Sequence, residues 1–221
     1  KLRINIMNFH LFKKSLSSII LITMVGIITN LRNEYFLVFL IFIYFVSSYE
    51  WIKLSKNKFI LLLGLLFLAF STYSVFEIKS INNNNNLFYF LLIVCVGSDV
   101  GGFSFGKVLG GPKLTSISPN KTFSGSIGSF ILAIFFSYIY LDLIKFDILN
   151  ANAFNLKYFF LIFLLSLVCQ LGDLVISFFK RKSKLKDTSN LIPGHGGLLD
   201  RIDGILFVFP FFYTLSYFLN F

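Results

Sequence analysis

A chain of 221 residues in which 56% of the side chains are hydrophobic and only 14% are charged has too little polar surface for a soluble domain of this size. Its 31 phenylalanines and its mean hydropathy of +0.80 fit helices that face lipid on all sides. The net charge of +10 argues against nucleic-acid binding, because such binding needs a soluble basic surface and the chain has none. The basic residues are instead interpreted as setting the membrane topology and as contacting lipid headgroups.

Hydrophobic segments follow one another along the chain and predict an all-α, polytopic transmembrane bundle of about seven spans. In chain order the segments are 15–31, 35–50, 59–76, 87–105, 125–141, 158–179 and 205–220. They are predicted as helices because a helix satisfies its own backbone hydrogen bonds in lipid. We treat 1–221 as one integral membrane domain, with N-terminal helices of unassigned role over 1–98, a candidate catalytic region with interleaved helices over 99–204, and a last helix over 205–221.

The lysines and arginines orient these predicted spans. With the N-terminus in the cytoplasm, sixteen of the 20 basic residues fall on the cytoplasmic side. The four on the opposite side are Arg32, Lys79, Lys145 and Lys157. The charge bias therefore predicts an N-in, C-out protein of the cell (inner) membrane, with its polar loops on the cytoplasmic side.

Three polar regions interrupt the hydrophobic pattern, and all three fall on the predicted cytoplasmic side. The first is a glycine-rich run that begins at Asp99, the second is the loop 118–122, and the third extends from Gly172 to Gly204. Glycines let backbone N–H groups approach phosphate oxygens, and carboxylate oxygens suit Mg²⁺. The gathering of carboxylates, basic side chains and glycines at one face predicts a site for a metal–nucleotide complex.

Asp173 lies inside a hydrophobic segment, where an ionised carboxylate costs roughly 2.5–3.5 kcal/mol on insertion scales and usually marks a function. Ser177 and Lys180 follow on the same helix face. Two interpretations stay open: Asp173 binds a divalent cation, or it only pairs with Lys180 at the helix end. Further along, Asp200 and Asp203 are three residues apart at the start of the last predicted helix, whose N-terminus favours anions.

Two smaller features accompany these regions. Cys95 and Cys169 each stand four residues before an aspartate, Asp99 and Asp173, which leaves open a weak internal repeat or a coincidence. His195 is a candidate general base in a glycine turn. We favour a turn or phosphate contact for it, because a phosphate monoester is already ionised near neutral pH.

The residues from Ser177 to Asp203 read S-x-x-K-R, then K-D, then H-G-G-x-x-D-R-x-D. This pattern resembles the signature of the phosphatidate cytidylyltransferase family. The run from Asp99 to Gly110 is similar to that family's D-x-x-A-Y-x-x-G-R-x-x-G, and 118–125 is similar to its S-P-x-K-T-W-E-G. In the last motif Phe123 replaces tryptophan and Ser124 replaces glutamate, which removes a charge near the site.

The resemblance implies that phosphatidic acid attacks the α-phosphate of CTP, giving CDP-diacylglycerol and pyrophosphate, a reaction that depends on positioning and charge neutralisation. It implies Mg²⁺, for which Mn²⁺ can substitute, at Asp173, Asp200 and Asp203. The implied catalytic residues are Asp173, Lys180, Arg181, Asp200 and Arg201. The implied substrate-binding residues are Ser118, Asn120, Lys121, Thr122, Ser177, Lys186, His195, Gly196 and Gly197, and further candidates are Asp99 and Asp187.

Two other functions stay open on the sequence. A CTP-dependent polyprenol or phytol kinase would share the chemistry and topology, but the complete H-G-G-x-x-D-R-x-D run favours the cytidylyltransferase. An ion-coupled transporter would use Asp99 and Asp173 inside the bilayer, but polar residues gathered at one face argue against a path across it. The acyl-chain preference and the oligomeric state, including a homodimer, are left open.

Overall fold

The computed structural model describes residues 23, 25–81, 85–115, 117–145, 156–192 and 196–219. Six helices follow one another within this part of the chain: α1 Asn33–Leu54, α2 Lys58–Ile81, α3 Asn86–Leu109, α4 Phe123–Ile144, α5 Leu156–Lys182 and α6 Leu199–Leu219. Residues 25–29 are helical as well, and extended pairing among the described residues is limited to isolated bridges at 113–122 and 192–196. The all-α prediction is confirmed for the described residues.

Five helices, α1 to α5, are long and apolar enough to cross a membrane. They coincide with the second to sixth predicted segments, and they identify a multi-pass membrane protein. The predicted segment 15–31 lies mostly outside the described residues. The predicted segment 205–220 falls on α6, which begins with charged side chains and contains Pro210. The total of seven spans and the N-in orientation stay predictions.

The chain divides into two compact units. The first unit contains the chain up to Thr72 together with Phe179–Ile202, and the second contains Tyr73–Phe178 and the chain from Asp203 onward. Helices α2, α5 and α6 each supply residues to both units. The division at residues 98 and 204 that the motifs predict stays a prediction.

The first unit is built around Trp51 near the end of α1, whose side chain is buried. A Cβ atom at Gly64 of α2 would lie 1.8 Å from Trp51 Nε1, so the indole packs where a glycine leaves room. Phe179 packs edge-on against the indole with 4.8 Å between ring centroids. The Ser183 hydroxyl donates to the Leu54 carbonyl oxygen. These contacts tie the end of α1 to α2, to the last turn of α5 and to the residue that follows α5.

The second unit contains a close approach of α3 and α4 through small residues. A Cβ atom at Gly101 would lie 2.2 Å from the carbonyl oxygen of Gly128. Small residues let membrane helices pack by van der Waals contact, since lipid provides no hydrophobic force between them. The Ser129 hydroxyl adds a 2.7 Å hydrogen bond to the Ser98 carbonyl oxygen. This packing fixes the start of α4 against α3.

Candidate active site

The loop before α4 is ordered by its own hydrogen bonds. Thr122 is the N-cap of α4, and its hydroxyl accepts from the backbone N–H of Gly125 at 3.1 Å. The N–H of Lys121 donates to the Ser118 carbonyl oxygen at 3.0 Å. Asn120 is exposed at the turn between them. These bonds hold the backbone of the predicted substrate loop, which carries Lys121.

Lys121 and Asp173 form an ion pair within the second unit. Lys121 Nζ lies 2.9 Å from Asp173 Oδ2, and the two side chains are 29% and 22% exposed. The pair joins two of the predicted polar regions. The ion-pair partner of Asp173 is thus Lys121 of the loop, and whether Asp173 also binds a cation stays a prediction.

Asp99 and Asp203 lie near the same place in the second unit. Cys169 Sγ is 4.0 Å from Asp99 Oδ1. A Cβ atom at Gly204 would lie 2.4 Å from Cys169 Sγ and 3.7 Å from Asp173 Oδ1, so this glycine lets the chain pass close to both side chains. Asp203 Oδ1 accepts from the Gly204 N–H at 3.1 Å. We call Asp99, Lys121, Asp173 and Asp203 the Asp173 cluster.

Asp200, in the first turn of α6, is the centre of a cluster in the first unit. Lys180 Nζ lies 2.7 Å from Asp200 Oδ1, and these side chains are 12% and 7% exposed. Oδ2 accepts from the N–H of Thr188 at 2.9 Å and from the N–H of Gly197 at 3.0 Å, and the Thr188 hydroxyl oxygen lies 3.1 Å from it. We call Lys180, Thr188, Gly197 and Asp200 the Asp200 cluster.

The donors around Asp200 also govern its ionisation. Burial opposes the charged form, but the hydrogen bonds from Lys180, Thr188 and Gly197 and the charge of Lys180 outweigh it. Together they hold the pKa of the Asp200 carboxyl below its ordinary value of 3.8. Asp200 is therefore a fixed anion at the start of a helix, where the orphan N–H groups favour negative charge.

The remaining predicted residues belong to the segment between α5 and α6 or lie near its ends. Gly196 has a φ of +86°, a left-handed conformation that favours glycine. A Cβ atom there would meet Asp200 Oδ2 at 3.0 Å and Asp187 Cβ at 3.3 Å.

Ser177 is half-buried on α5. The exposed members of the set are Arg181, Lys186, Asp187 and Arg201. The contact predicted for His195 lies outside the described residues.

Ser124, which stands where the resembled motif has glutamate, has contacts of its own. Its hydroxyl donates to the Gly110 carbonyl oxygen and lies 3.0 Å from Thr122 Oγ1. The serine therefore links the end of α3 to the N-cap of α4. The replacement removes a charge from this position but leaves it bonded to the loop that carries Lys121.

Sequence reasoning missed Glu50, near the end of α1. Its side chain is 0% exposed, and its carboxylate accepts hydrogen bonds from residues 188 to 199. The available signal was one acidic residue at the end of a hydrophobic segment. Its partners are 138 to 149 positions away, so no local pattern could identify them.

Mg²⁺ is the cation that the resemblance implies. Among the described residues, no three His, Cys, Asp or Glu side chains converge as a complete metal site. Mg²⁺ usually takes one or two carboxylates, with phosphate and water oxygens as its other ligands. Asp173 fits this need, because its carboxylate is partly exposed and its ion pair with Lys121 is made through one of its two oxygens, Oδ2. Asp200 fits less well, since a metal would have to replace Lys180 or one of the two amide donors.

Apolar helices long enough to cross a membrane, together with two clusters of carboxylates and lysines, define a polytopic membrane protein with two candidate site regions. Comparison with known families then gives the particular class. The family model described as "Cytidylyltransferase family" matches residues 56–219, about three quarters of the chain and both clusters. The chain belongs to the cytidylyltransferase family.

Individual relatives carry a more specific name. The phosphatidate cytidylyltransferase of Rickettsia bellii (strain RML369-C) is 36% identical over 214 residues, covering 94% of this chain and 91% of that protein. That of Staphylococcus aureus (strain COL) is 37% identical over 174 residues, covering 76% and 64%. That of Bacillus subtilis (strain 168) is 41% identical over 142 residues, covering 63% and 51%. The chain thus spans nearly all of the first relative and less than two thirds of the other two.

Proposed function

We propose that the chain is a phosphatidate cytidylyltransferase, which makes CDP-diacylglycerol and pyrophosphate from phosphatidic acid and CTP for phospholipid biosynthesis. The observation that carries the proposal is the 36% identity to the R. bellii phosphatidate cytidylyltransferase across 91% of its length. The complete H-G-G-x-x-D-R-x-D run at 195–203 supports it, because that run favours a cytidylyltransferase over a lipid kinase.

The reaction forms one bond and breaks another at the α-phosphorus of CTP. A phosphate oxygen of phosphatidic acid bonds to that phosphorus, and the bond to the oxygen bridging the α- and β-phosphates breaks, so pyrophosphate leaves with the electron pair. The attacking oxygen is already ionised, so charge neutralisation is the main requirement. The basic side chains proposed for that task are Lys121, Lys180, Arg181, Lys186 and Arg201.

Mg²⁺, with Mn²⁺ as a substitute, is the proposed cofactor, and it would supply positive charge to the triphosphate. Asp173 is the favoured ligand, because its carboxylate is partly exposed and has hard oxygen donors. Asp203 of the same cluster is a second candidate. Asp200, also expected as a ligand from the resemblance, would first have to exchange Lys180 or an amide donor.

The proposed location is the inner membrane, with the N-terminus and the substrate site on the cytoplasmic side. The bias of basic residues toward one side supports this orientation. CTP and phosphatidic acid are the proposed substrates, and the membrane lipid is the source of the second. A homodimer is compatible with the proposal but is not required by it.

The position of the label separates this function from the kinase alternative. Purified protein would be supplied with phosphatidic acid, a polyprenol, Mg²⁺ and CTP labelled at either the α- or the γ-phosphorus. We expect the α-label to enter lipid, the γ-label to leave as pyrophosphate, and both transfers to stop when EDTA removes the metal. Transfer of the γ-label to a lipid alcohol would contradict the proposal and indicate a kinase.

A further inference from the structure

Glu50 is a buried carboxylate outside the clusters described so far. It lies on α1 with 0% exposure, and none of the ion pairs among the described residues involves it. A charged group in such a place is costly unless hydrogen bonds replace its water. Its position precedes the segment 56–219 that the family model matches.

Four donors surround this carboxylate, and all belong to the first unit. Two are backbone N–H groups at the start of α6: Leu198 donates to Oε1 at 2.9 Å and Leu199 donates to Oε2 at 2.8 Å. The other two are hydroxyls, from Thr188 at 3.0 Å and from Ser189. The N-terminal amides of a helix otherwise lack partners and carry partial positive charge, so Glu50 caps α6 from a distant part of the chain.

Thr188 connects Glu50 to the Asp200 cluster. Its hydroxyl oxygen lies 3.0 Å from Glu50 Oε2 and 3.1 Å from Asp200 Oδ2, and its N–H donates to Asp200. Asp200 in turn holds Lys180 at 2.7 Å. A continuous chain of polar contacts therefore runs from α1 to the basic side chain expected to meet phosphate.

Gly197 is the position at which this arrangement leaves no room. A Cβ atom there would lie 1.8 Å from Thr188 Oγ1 and 2.7 and 2.8 Å from the two carboxylate oxygens of Glu50. The second glycine of the H-G-G run is thus required by a residue outside that run. Gly197, Thr188 and Glu50 therefore pack directly against one another.

We propose that Glu50 is a positioning residue for the transfer reaction. By holding Thr188 and the first amides of α6, it fixes Asp200, and through Asp200 it fixes the direction of the Lys180 ammonium group. The proposal rests on the proposed function, since it assigns Lys180 to a substrate phosphate. Glu50 itself touches no substrate.

Glu50→Gln is the direct test, because it keeps the size of the side chain but replaces an acceptor oxygen with an NH₂ group that cannot accept from an amide. We expect kcat per folded molecule to fall roughly tenfold or more, the usual effect of losing a charged hydrogen bond. Glu34→Gln is the matched control, since Glu34 is on the same helix but 72% exposed, and it should retain wild-type kcat. Wild-type kcat per folded molecule in Glu50→Gln would overturn the proposal.

Thr188 provides a second test that holds even if Glu50→Gln fails to fold. Thr188→Val keeps the side-chain shape but removes the hydroxyl that donates to Glu50 beside Asp200, whereas Thr188→Ser keeps the hydroxyl. We expect the serine variant to retain near-wild-type kcat and the valine variant to lose roughly tenfold. A merely structural role would lower the melting temperature of the valine variant without lowering the kcat of its folded molecules, and that result would contradict the proposal.

Hydrogen exchange separates failure of this proposal from failure of the proposed function. Peptides covering 186–201 should exchange faster in Glu50→Gln, or in Thr188→Val, than in Glu34→Gln. If the wild type does not convert phosphatidic acid and CTP, the proposed function fails, and faster exchange still supports the role of Glu50 in holding the loop. If the wild type is active and the variants match it in kcat and exchange, the positioning role alone is wrong.

Discussion

Asp173 and Asp200 are both carboxylates paired with lysine, but their surroundings give them different roles. Asp200 is 7% exposed and accepts from Lys180 of α5 and from two amides of the segment between α5 and α6, so its charge serves to hold that segment. Asp173 is 22% exposed and is paired through one oxygen. Because a ligand can reach a partly exposed carboxylate without dismantling a loop, Asp173 is the better candidate for direct contact with a substrate-bound cation.

Replacing Asp173 distinguishes that contact from simple pairing with Lys121. We expect Asp173→Asn to lower kcat/KM by about 10²-fold, the scale of losing one electrostatic group at a reacting centre. Lys121→Met should also lower it, and the double variant should not recover, since both side chains have roles beyond neutralising each other. The measurement is turnover and thermal melting in detergent, with the exposed Asp142→Asn as the control.

If the Lys121–Asp173 pair were only structural, the double variant would regain most of the activity lost in each single variant. The partial exposure of both side chains makes the stability cost of breaking the pair small, since solvent screens such pairs. Recovery of turnover in the double variant would therefore remove Asp173 from the reaction.

The packing of α3 against α4 depends on positions that have no side chain. Gly97 and Gly101 of α3 leave no space for a side chain against α4, because a Cβ atom at either would lie within 3 Å of α4 backbone atoms. Small residues at these positions let the two backbones approach closely, and the resulting van der Waals contact holds the helices together in lipid. The cap at Thr122 and the reach of Lys121 depend on that packing.

Gly101→Ala tests this packing, because the added Cβ atom would meet the Gly128 carbonyl oxygen at 2.2 Å and the backbones would have to separate. We expect a loss of about 1–3 kcal/mol in stability, seen as a lower melting temperature and less monodisperse protein in detergent. Gly26→Ala is the control, since nothing lies within 4 Å of its Cβ position and alanine favours helix. Equal melting temperatures for the two variants would contradict the packing argument.

At the scale of the whole molecule, five apolar helices establish a multi-pass membrane protein, and the distribution of basic residues predicts its orientation. Lys145 follows α4 on the predicted outer side, and Asn190 lies in the loop that joins α5 to α6 on the predicted inner side. Both side chains are exposed. Cys95 and Cys169 are buried, so they should contribute little to thiol labelling.

Cysteine labelling of sealed cells with a membrane-impermeant reagent tests the orientation. We expect Lys145→Cys to be labelled in intact cells and Asn190→Cys to be labelled only after the membrane is opened. Labelling of both after permeabilisation is the control for accessibility. The reverse pattern in intact cells would make the N-in orientation and the cytoplasmic location of the polar loops wrong.

The sequence by itself determined the membrane class, the five central helices and the family. These follow from local or contiguous properties: a hydrophobic run of about 20 residues spans a bilayer wherever it packs, and the signature at 177–203 is continuous in the chain. The sequence also named Lys121, Asp173, Lys180 and Asp200 as candidate site residues.

Only the tertiary structure decided which of these residues meet. Asp173 pairs with Lys121, 52 positions away, and Lys180 pairs with Asp200, while the start of α6 is capped by Glu50 from α1. Helical periodicity gives the face on which a side chain lies but not the neighbour that faces it. That neighbour is set by how closely the helices approach, which depends on where glycines leave room and on the requirement that every buried charge find donors.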